Sequence, residues 1–343
     1  MPSAKLYPGI CDFHVHVGER IGGYRLRDDF RALDKTAAAH GIAAVGAFVT
    51  EEPDHSVSEK LYHMKESAAQ HFRGQVFWHL TPIYSTMEDI APLLGKNCDL
   101  KLYTTYKQAD IYSSYESIGR WMQDLTHTKT RILVHCEDND IVERHSAQTS
   151  FREPFQHTLR RPEIAEVKAV ERVLDMAVKH NHPVHIVHVS TPQAALLIRE
   201  AKTHNPRISC ETAPHYLLHN EDILKGENAH RWLCSPPFRS EHSRGLLVEL
   251  LQDGYFDILA SDHCPFTDLD KDRFKDTPEK VPCGIPGLAT LFSSVYHGLV
   301  VKGTISLDQM IRFCCSEPAK LMGIDVKAMF TMNNIIGKHE EGK

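Results

Sequence analysis

The feature that most constrains this chain is a regular alternation of short apolar runs with helix-like segments. Eight runs rich in β-branched and aromatic residues can be counted, at 10–17, 42–49, 76–83, 99–106, 131–137, 183–190, 207–214 and 256–263. Apolar spacing of the helical period marks the segments between them at 56–71, 114–126, 162–180, 191–204 and 241–253. Strand alternating with helix is the pattern of βα units and a parallel sheet, and eight parallel strands close into a barrel. The expectation is an α/β fold, a (β/α)8 TIM-like barrel in a single domain over residues 1–325. Closing helices are expected at 287–301 and 306–321, and a C-terminal tail at 326–343, loosely held from Asn333 to Lys343. Arg161-Pro162-Glu163 sets a proline and an acid at a helix start, where the missing N–H and the helix dipole favour them.

Composition removes several classes of function. No stretch approaches the roughly 18 uninterrupted apolar residues of a membrane span, so no membrane partner is expected. The 39 basic and 45 acidic residues are dispersed, leaving a net charge of −6 and no basic track for nucleic acid. The start, MPSAKLYPGICDF, lacks the pattern of a secretory signal. The cysteines number nine, an odd count without a CxxC pair, which fits reduced thiols and a cytoplasmic location.

In a barrel of this kind, catalytic groups stand at the C-terminal ends of the strands. The first run carries Asp12-Phe-His14-Val-His16, and a period of two turns both imidazoles to one face. Alone, such a pair also fits satisfied core histidines. The other runs add Lys101 in Leu-Lys-Leu-Tyr, His135 in Val-His-Cys-Glu, His188 in Ile-Val-His-Val-Ser, and Asp262 in Ser-Asp-His. Four imidazoles, an amine and a carboxylate at one rim suit zinc or a similar borderline divalent ion. A buried lysine is costly as an unpaired ammonium. Its neutral amine can take up carbon dioxide, giving a carbamate able to bridge two cations, so Lys101 is expected to be N6-carboxylated.

Taken together, these motifs resemble the cyclic amidohydrolases of the amidohydrolase superfamily: hydantoinase/dihydropyrimidinase, allantoinase and dihydroorotase. The resemblance runs from Pro8 to about Gly323. It includes Pro8-Gly-Ile-Cys-Asp-Phe-His-Val-His16, Arg161-Pro-Glu with Glu166, Glu211-Thr-Ala-Pro-His-Tyr216, Cys234-Ser-Pro-Pro-Phe-Arg239, Ser261-Asp-His-Cys-Pro-Phe266 and Gly284-Ile-Pro-Gly287. It implies two divalent metal ions, zinc foremost. His14, His16 and Asp262 would bind the first, His135 and His188 the second, and carboxylated Lys101 would bridge them. It further implies attack by a metal-bridging hydroxide, with Asp262 as general base and acid. Tyr106 would hydrogen-bond the substrate carbonyl, and the backbone of Ser235 would hold the ring amide. The partner implied is a small cyclic amide or imide, in a homo-oligomer.

Departures from the family pattern bear on the substrate. Where dihydroorotases follow HxH with an arginine, this chain has Gly18, so Arg20, Arg25 or Arg27 would have to reach in from the first loop. Tyr106, Ser235 and Asp-His-Cys-Pro-Phe lean toward hydantoinase, with dihydroorotate and allantoin as alternatives. Lys271, Arg273 and Lys275 read as a solvated face. The terminal β-sandwich common in the group is not expected, since nine residues precede the first strand and the usual Gly-Thr-Ile return is missing after Gly323. From other classes, a metal-dependent phosphoesterase on the same barrel and a non-catalytic relative remain as competing readings.

Overall fold

A computed structural model describes residues 6–95, 97–326 and 329–331. Its main sheet has eight parallel strands in sequence order: β1 (Ile10–Val15), β2 (Ile42–Thr50), β3 (Gln75–Thr81), β4 (Cys98–Tyr103), β5 (Ile132–His135), β6 (Val184–Ile186), β7 (Ser209–Thr212) and β8 (Ile258–Leu259). The first and last strands meet through the segment just beyond β8. His16 N donates to His263 O at 2.8 Å and His263 N to His14 O at 3.2 Å. The barrel is therefore stitched shut at its C-terminal rim, among the residues singled out for chemistry.

Alternation along the strands separates two apolar layers. Leu100 and Leu102 of β4, Ile132 and Val134 of β5, and Val184 and Ile186 of β6 join the large core under the helices. Phe13, Phe48, Phe77, Leu133, Val187 and Ile258 form a smaller cluster inside the barrel. Within that interior, Phe13 packs edge-on to His79 at 4.6 Å and to His185 at 5.2 Å between centroids. Such close approach needs Gly46 on β2: a Cβ there would lie 2.3 Å from the Phe13 carbonyl oxygen and 2.5 Å from His79 Nε2.

The expected helices are present with trimmed ends: α2 (Val57–His71), α3 (Tyr115–Asp124), α5 (Glu163–Lys179), α6 (Pro192–His204) and α7 (Glu241–Gln252). Capping sets several of these boundaries. Ser56 and Glu59 form a reciprocal box at the start of α2. The structure adds α1 (Phe30–His40), whose first turn is capped by Asp29, and α4 (Asn139–Gln148), capped by Asp138. The helix expected at 287–301 begins only at Leu291. The N–H groups of Gly287 and Leu288 instead donate to His263 Nδ1, at 3.1 and 3.2 Å.

Tyr7–Pro8 pairs antiparallel with Met329–Phe330. Part of the expected C-terminal tail is thus held beside the first described residues. The remainder of the expected tail, apart from Val326 and Thr331, lies outside the described residues, as do residues 1–5 of the expected barrel domain.

Candidate active site

Three of the six expected ligands reach the rim by breaking strand regularity. Between Asp12 and Val15, β1 carries one residue more than β2, since Asp12 pairs with Val45 but Val15 with Ala47. This bulge, rather than plain alternation, lets Phe13 fill the interior while His14 and His16 also face inward, 5.6 Å apart between ring centroids. His188 and Asp262 have φ of 38° and 51°. Left-handed backbone at non-glycine residues is strained and concentrates at functional sites. Here it ends β6 and β8 earlier than the apolar runs suggest. Lys101 and His135, by contrast, follow the pleat of their strands.

Among the described residues, one group brings three ligand atoms within 4.8 Å of each other: His14, His188 and Asp262. His16 and His135 flank it. His16 stacks on Phe48 at 4.4 Å, and the His135 ring stands 4.6 Å from that of His188. Lys101 is 1% exposed, with Nζ 5.0 Å from the centre of Phe48 and 5.1 Å from that of Tyr103.

Carboxylates behind the histidines decide which nitrogen faces the centre. An ionised carboxylate only accepts, so the ring nitrogen against it carries the proton. His14 Nδ1 donates to Glu211 at 2.5 Å, His16 Nδ1 to Glu19 at 2.8 Å, and His135 Nε2 to Glu137 at 2.8 Å. The opposite nitrogen of each ring is left with a lone pair. That of His14 points at Asp262 Oδ1, 3.1 Å away. Two acceptors so close require a proton or a cation between them. His188 Nδ1 is buried without a hydrogen-bond partner.

Burial holds the His14 and His188 imidazoles well below their usual 6.5, and His135 down to about 4. All three are neutral and fit to ligate. Burial also pushes the Asp262 carboxyl well above its ordinary range, with Lys101 opposing. For Lys101, burial lowers the amine to about 8 against the pull of Glu211 and Asp262. The donor set thus fits a divalent cation.

The sequence reading did not single out Glu19, Glu137 and Glu211 as site residues. A signal existed for Glu19: Gly18, at φ 67°, turns the chain so that the carboxylate three residues after His16 folds back beneath it. Glu19 also accepts from Thr50 N at 2.9 Å, joining the first loop to the end of β2. Burial raises this carboxyl, but His16, the Lys60 charge and Thr50 together outweigh it and hold it below the usual carboxylate value.

On the far wall, Tyr106 lies 5.2 Å from the His135 ring and 4.8 Å under the Arg161 guanidinium. Arg161 also pairs closely with Glu137, so one arginine joins the tyrosine to the carboxylate behind His135. Ser235 sits alongside, its hydroxyl interacting with Tyr106 and lying 3.2 Å from His157 Nε2. Both residues expected to meet substrate therefore stand together. Arg20, Arg25 and Arg27 are exposed, and Arg27 pairs with Asp28, so none of the three enters the site. The solvated face expected for Lys271 is corrected. The side chain is buried and donates to the carbonyls of Arg231 and Leu233 at 2.8 and 3.0 Å, while Arg273 and Lys275 are exposed.

Residues 6–328 match the model of the amidohydrolase family, and the chain belongs to that family. It is 27% identical to a D-hydantoinase of Ralstonia pickettii over 93% of this chain and 72% of that protein. A dihydroorotase of Halalkalibacterium halodurans is likewise 27% identical, over 91% of this chain and 72% of the relative. Among solved structures, a dihydropyrimidinase from Brevibacillus agri superposes with a TM-score of 0.86 at 25% identity, covering 94% of this chain and 74% of its own.

Proposed function

We propose that the protein opens an uncharged cyclic amide or imide ring by metal-dependent hydrolysis of a C–N bond. The observation that carries this reading is the cluster of His14, His188 and Asp262, with ligand atoms within 4.8 Å, beside buried Lys101 and facing Tyr106 and Ser235. His14, His16 and Asp262 would hold one ion, His135 and His188 a second, and Lys101 as its carbamate would bridge them. When bound, two zinc ions would activate water at neutral pH and polarise the scissile carbonyl.

The side chains have distinct tasks. Asp262, raised in proton affinity by burial, accepts the proton of the attacking water and passes it to the departing ring nitrogen. Tyr106 donates to the carbonyl oxygen on which charge develops, and the backbone at Ser235 holds the adjacent ring amide. The amine of Lys101, lowered to about 8, adds to carbon dioxide and loses a proton to give the carbamate. Native intact mass showing unmodified Lys101 in the metal-loaded protein rejects that step.

An uncharged ring is favoured because the cations expected to meet an acidic substituent are elsewhere. Arg20, Arg25 and Arg27 face outward, Lys271 is occupied by backbone carbonyls, and Arg161 is paired with Glu137. Dihydropyrimidines, hydantoins and cyclic imides therefore come ahead of dihydroorotate. The experiment is a ring-opening screen over dihydrouracil, hydantoin, succinimide, dihydroorotate and allantoin, with Asp262→Ala alongside. Turnover of a neutral ring, lost in Asp262→Ala, is expected; full activity in that variant refutes the mechanism, and turnover of dihydroorotate alone refutes the substrate class. All nine cysteines are free thiols, in keeping with a cytoplasmic enzyme. We further propose that it is a homo-oligomer, which light scattering of the purified protein tests.

A further inference from the structure

A hydrogen-bonded chain of buried side chains descends the barrel from the candidate metal centre. Glu211 Oε1 receives His14 Nδ1 at 2.5 Å. Its other oxygen, Oε2, lies 3.1 Å from His185 Nε2, and His185 Nδ1 lies 2.8 Å from Ser209 Oγ. His185 and Glu211 are fully buried and Ser209 nearly so. The chain ends at the opposite face of the molecule, where Ser209 lines a cavity of about 520 Å³ with Arg131, Arg207 and Asp257.

Every proton along this chain can be placed. Glu211 meets an imidazole nitrogen at each oxygen, so as a carboxylate it accepts from both and His185 presents Nε2–H to it. A neutral His185 then has a bare Nδ1, which Ser209 must fill as donor. The hydroxyl's other acceptor, the Val184 carbonyl, is 3.5 Å away, beyond good hydrogen-bond length. The polarity is fixed: Ser209 donates to His185, His185 donates to Glu211, and His14 donates to Glu211 from the other side. The result is that His14 Nε2 faces the centre as a lone pair.

We propose that Ser209 and His185 are positioning residues, which act from beneath the barrel to set the orientation and tautomer of His14 through Glu211. The inference rests on the metal-centre reading above. Without the serine hydroxyl, His185 is free to carry its proton on Nδ1, and a lone pair then confronts the Glu211 carboxylate. Glu211 loses a donor and its hold on the His14 ring. Groups that support metal-ligating histidines in this way typically govern affinity by 10- to 100-fold.

The test is zinc binding by chelator competition on wild-type protein, Ser209→Ala, Ser209→Thr and His185→Phe, with melting temperature recorded beside each. Ser209→Ala removes one buried oxygen and is the variant expected to fold unchanged; His185→Phe fills the ring's volume without its nitrogens. The expected result is two ions in wild type and one of them weakened about tenfold in Ser209→Ala and in His185→Phe. The second ion should be unaffected, and Ser209→Thr should restore both. Wild-type affinities for both ions in Ser209→Ala and His185→Phe overturn the proposal, as does a parallel loss of both ions that merely tracks a fall in melting temperature. A wild-type protein that binds no zinc overturns the metal centre, and the chain's role with it.

Discussion

Lowering the pH through 6.5 should destabilise this protein, because three histidines outside the expected ligand set are buried in neutral form. Burial lowers His79, His157 and His215 to about 3 from an ordinary 6.5. Their surroundings offer a charged ring little. His79 Nδ1 and His215 Nε2 have no hydrogen-bond partner, and His215 sits against Tyr216 and Phe238. The sign follows from which state binds protons. Unfolded, each ring takes a proton as the pH falls through 6.5; folded, it does not until about 3. Stability from these groups is therefore complete above 6.5 and is lost progressively below it. At pH 5.5 each histidine has forfeited on the order of 1 kcal/mol, and the three together contribute a loss of roughly 4 kcal/mol for each further pH unit. Buried Asp12 and Asp99, raised to about 7 and about 6 by burial, take up protons in the folded state over the same range and offset part of this loss, so stability should decline between pH 6.5 and 5.0. The assay is urea unfolding followed by fluorescence at several pH values from 7.5 to 5.0, with His215→Gln as the variant that removes one group. Its slope below pH 6 should be shallower by roughly 1 kcal/mol per pH unit. A stability that stays flat from pH 7.5 to 5.5, or a His215→Gln slope equal to wild type, refutes the reasoning.

Other perturbations probe the site more directly. Gly46→Ala should lower the melting temperature by several degrees, because its Cβ would meet the Phe13 carbonyl at 2.3 Å and the bulge that turns His14 inward must move; overpacking of this kind costs about 1–3 kcal/mol or more. Arg161→Lys keeps the charge but loses the planar group that spans Glu137 and Tyr106. About a tenfold rise in KM is expected with both zinc ions retained, and an unchanged KM counts against Tyr106 as a substrate contact. Chelation should abolish ring opening, and zinc restored together with bicarbonate should recover more activity than zinc in carbonate-free buffer. Equal recovery in the two buffers speaks against the carbamate on Lys101.

How much of this was legible in the sequence depended on whether one rule of periodicity governed the residue. Lys101 and His135 lie on strands that keep a period of two, with Leu100, Leu102, Ile132 and Val134 packed outward and Leu133 inward, so the strand period places their side chains inside. The eight strands were visible for the same reason. Strand ends were not, because Val187 and Val189 keep the run at 183–190 apolar on both sides of His188, and Ala260 carries the last run past its final strand residue, Leu259. Helix α1 escaped the periodicity reading, although Asp29 before it and Gly41 after it, at φ 71°, are the residues its ends require. The segment from Gly287 reads as helix until His263 is seen to use the two N–H groups that would have begun it.

The centre itself was legible as a set of residue types and illegible as geometry. His14, His188 and Asp262 come together through a bulge and two left-handed residues, none of which has a local sequence cost that marks it. Such conformations persist only where surrounding contacts over-determine them, and those contacts are present. Asp12 Oδ1 accepts from Ser261 N at 3.0 Å and from His14 N at 3.3 Å, tying the bulge of β1 to the residue before Asp262. Glu166 accepts from Ser190 N at 2.8 Å and from Thr191 N at 3.3 Å, anchoring the chain just beyond His188. Arg239 in turn binds Ser190 Oγ at 2.9 Å and Glu166 at 3.1 Å. The strained turns are thus held by buried carboxylates that never face the centre. That is why the stretches around the ligands read as motifs several residues long, when the ligands themselves are single positions.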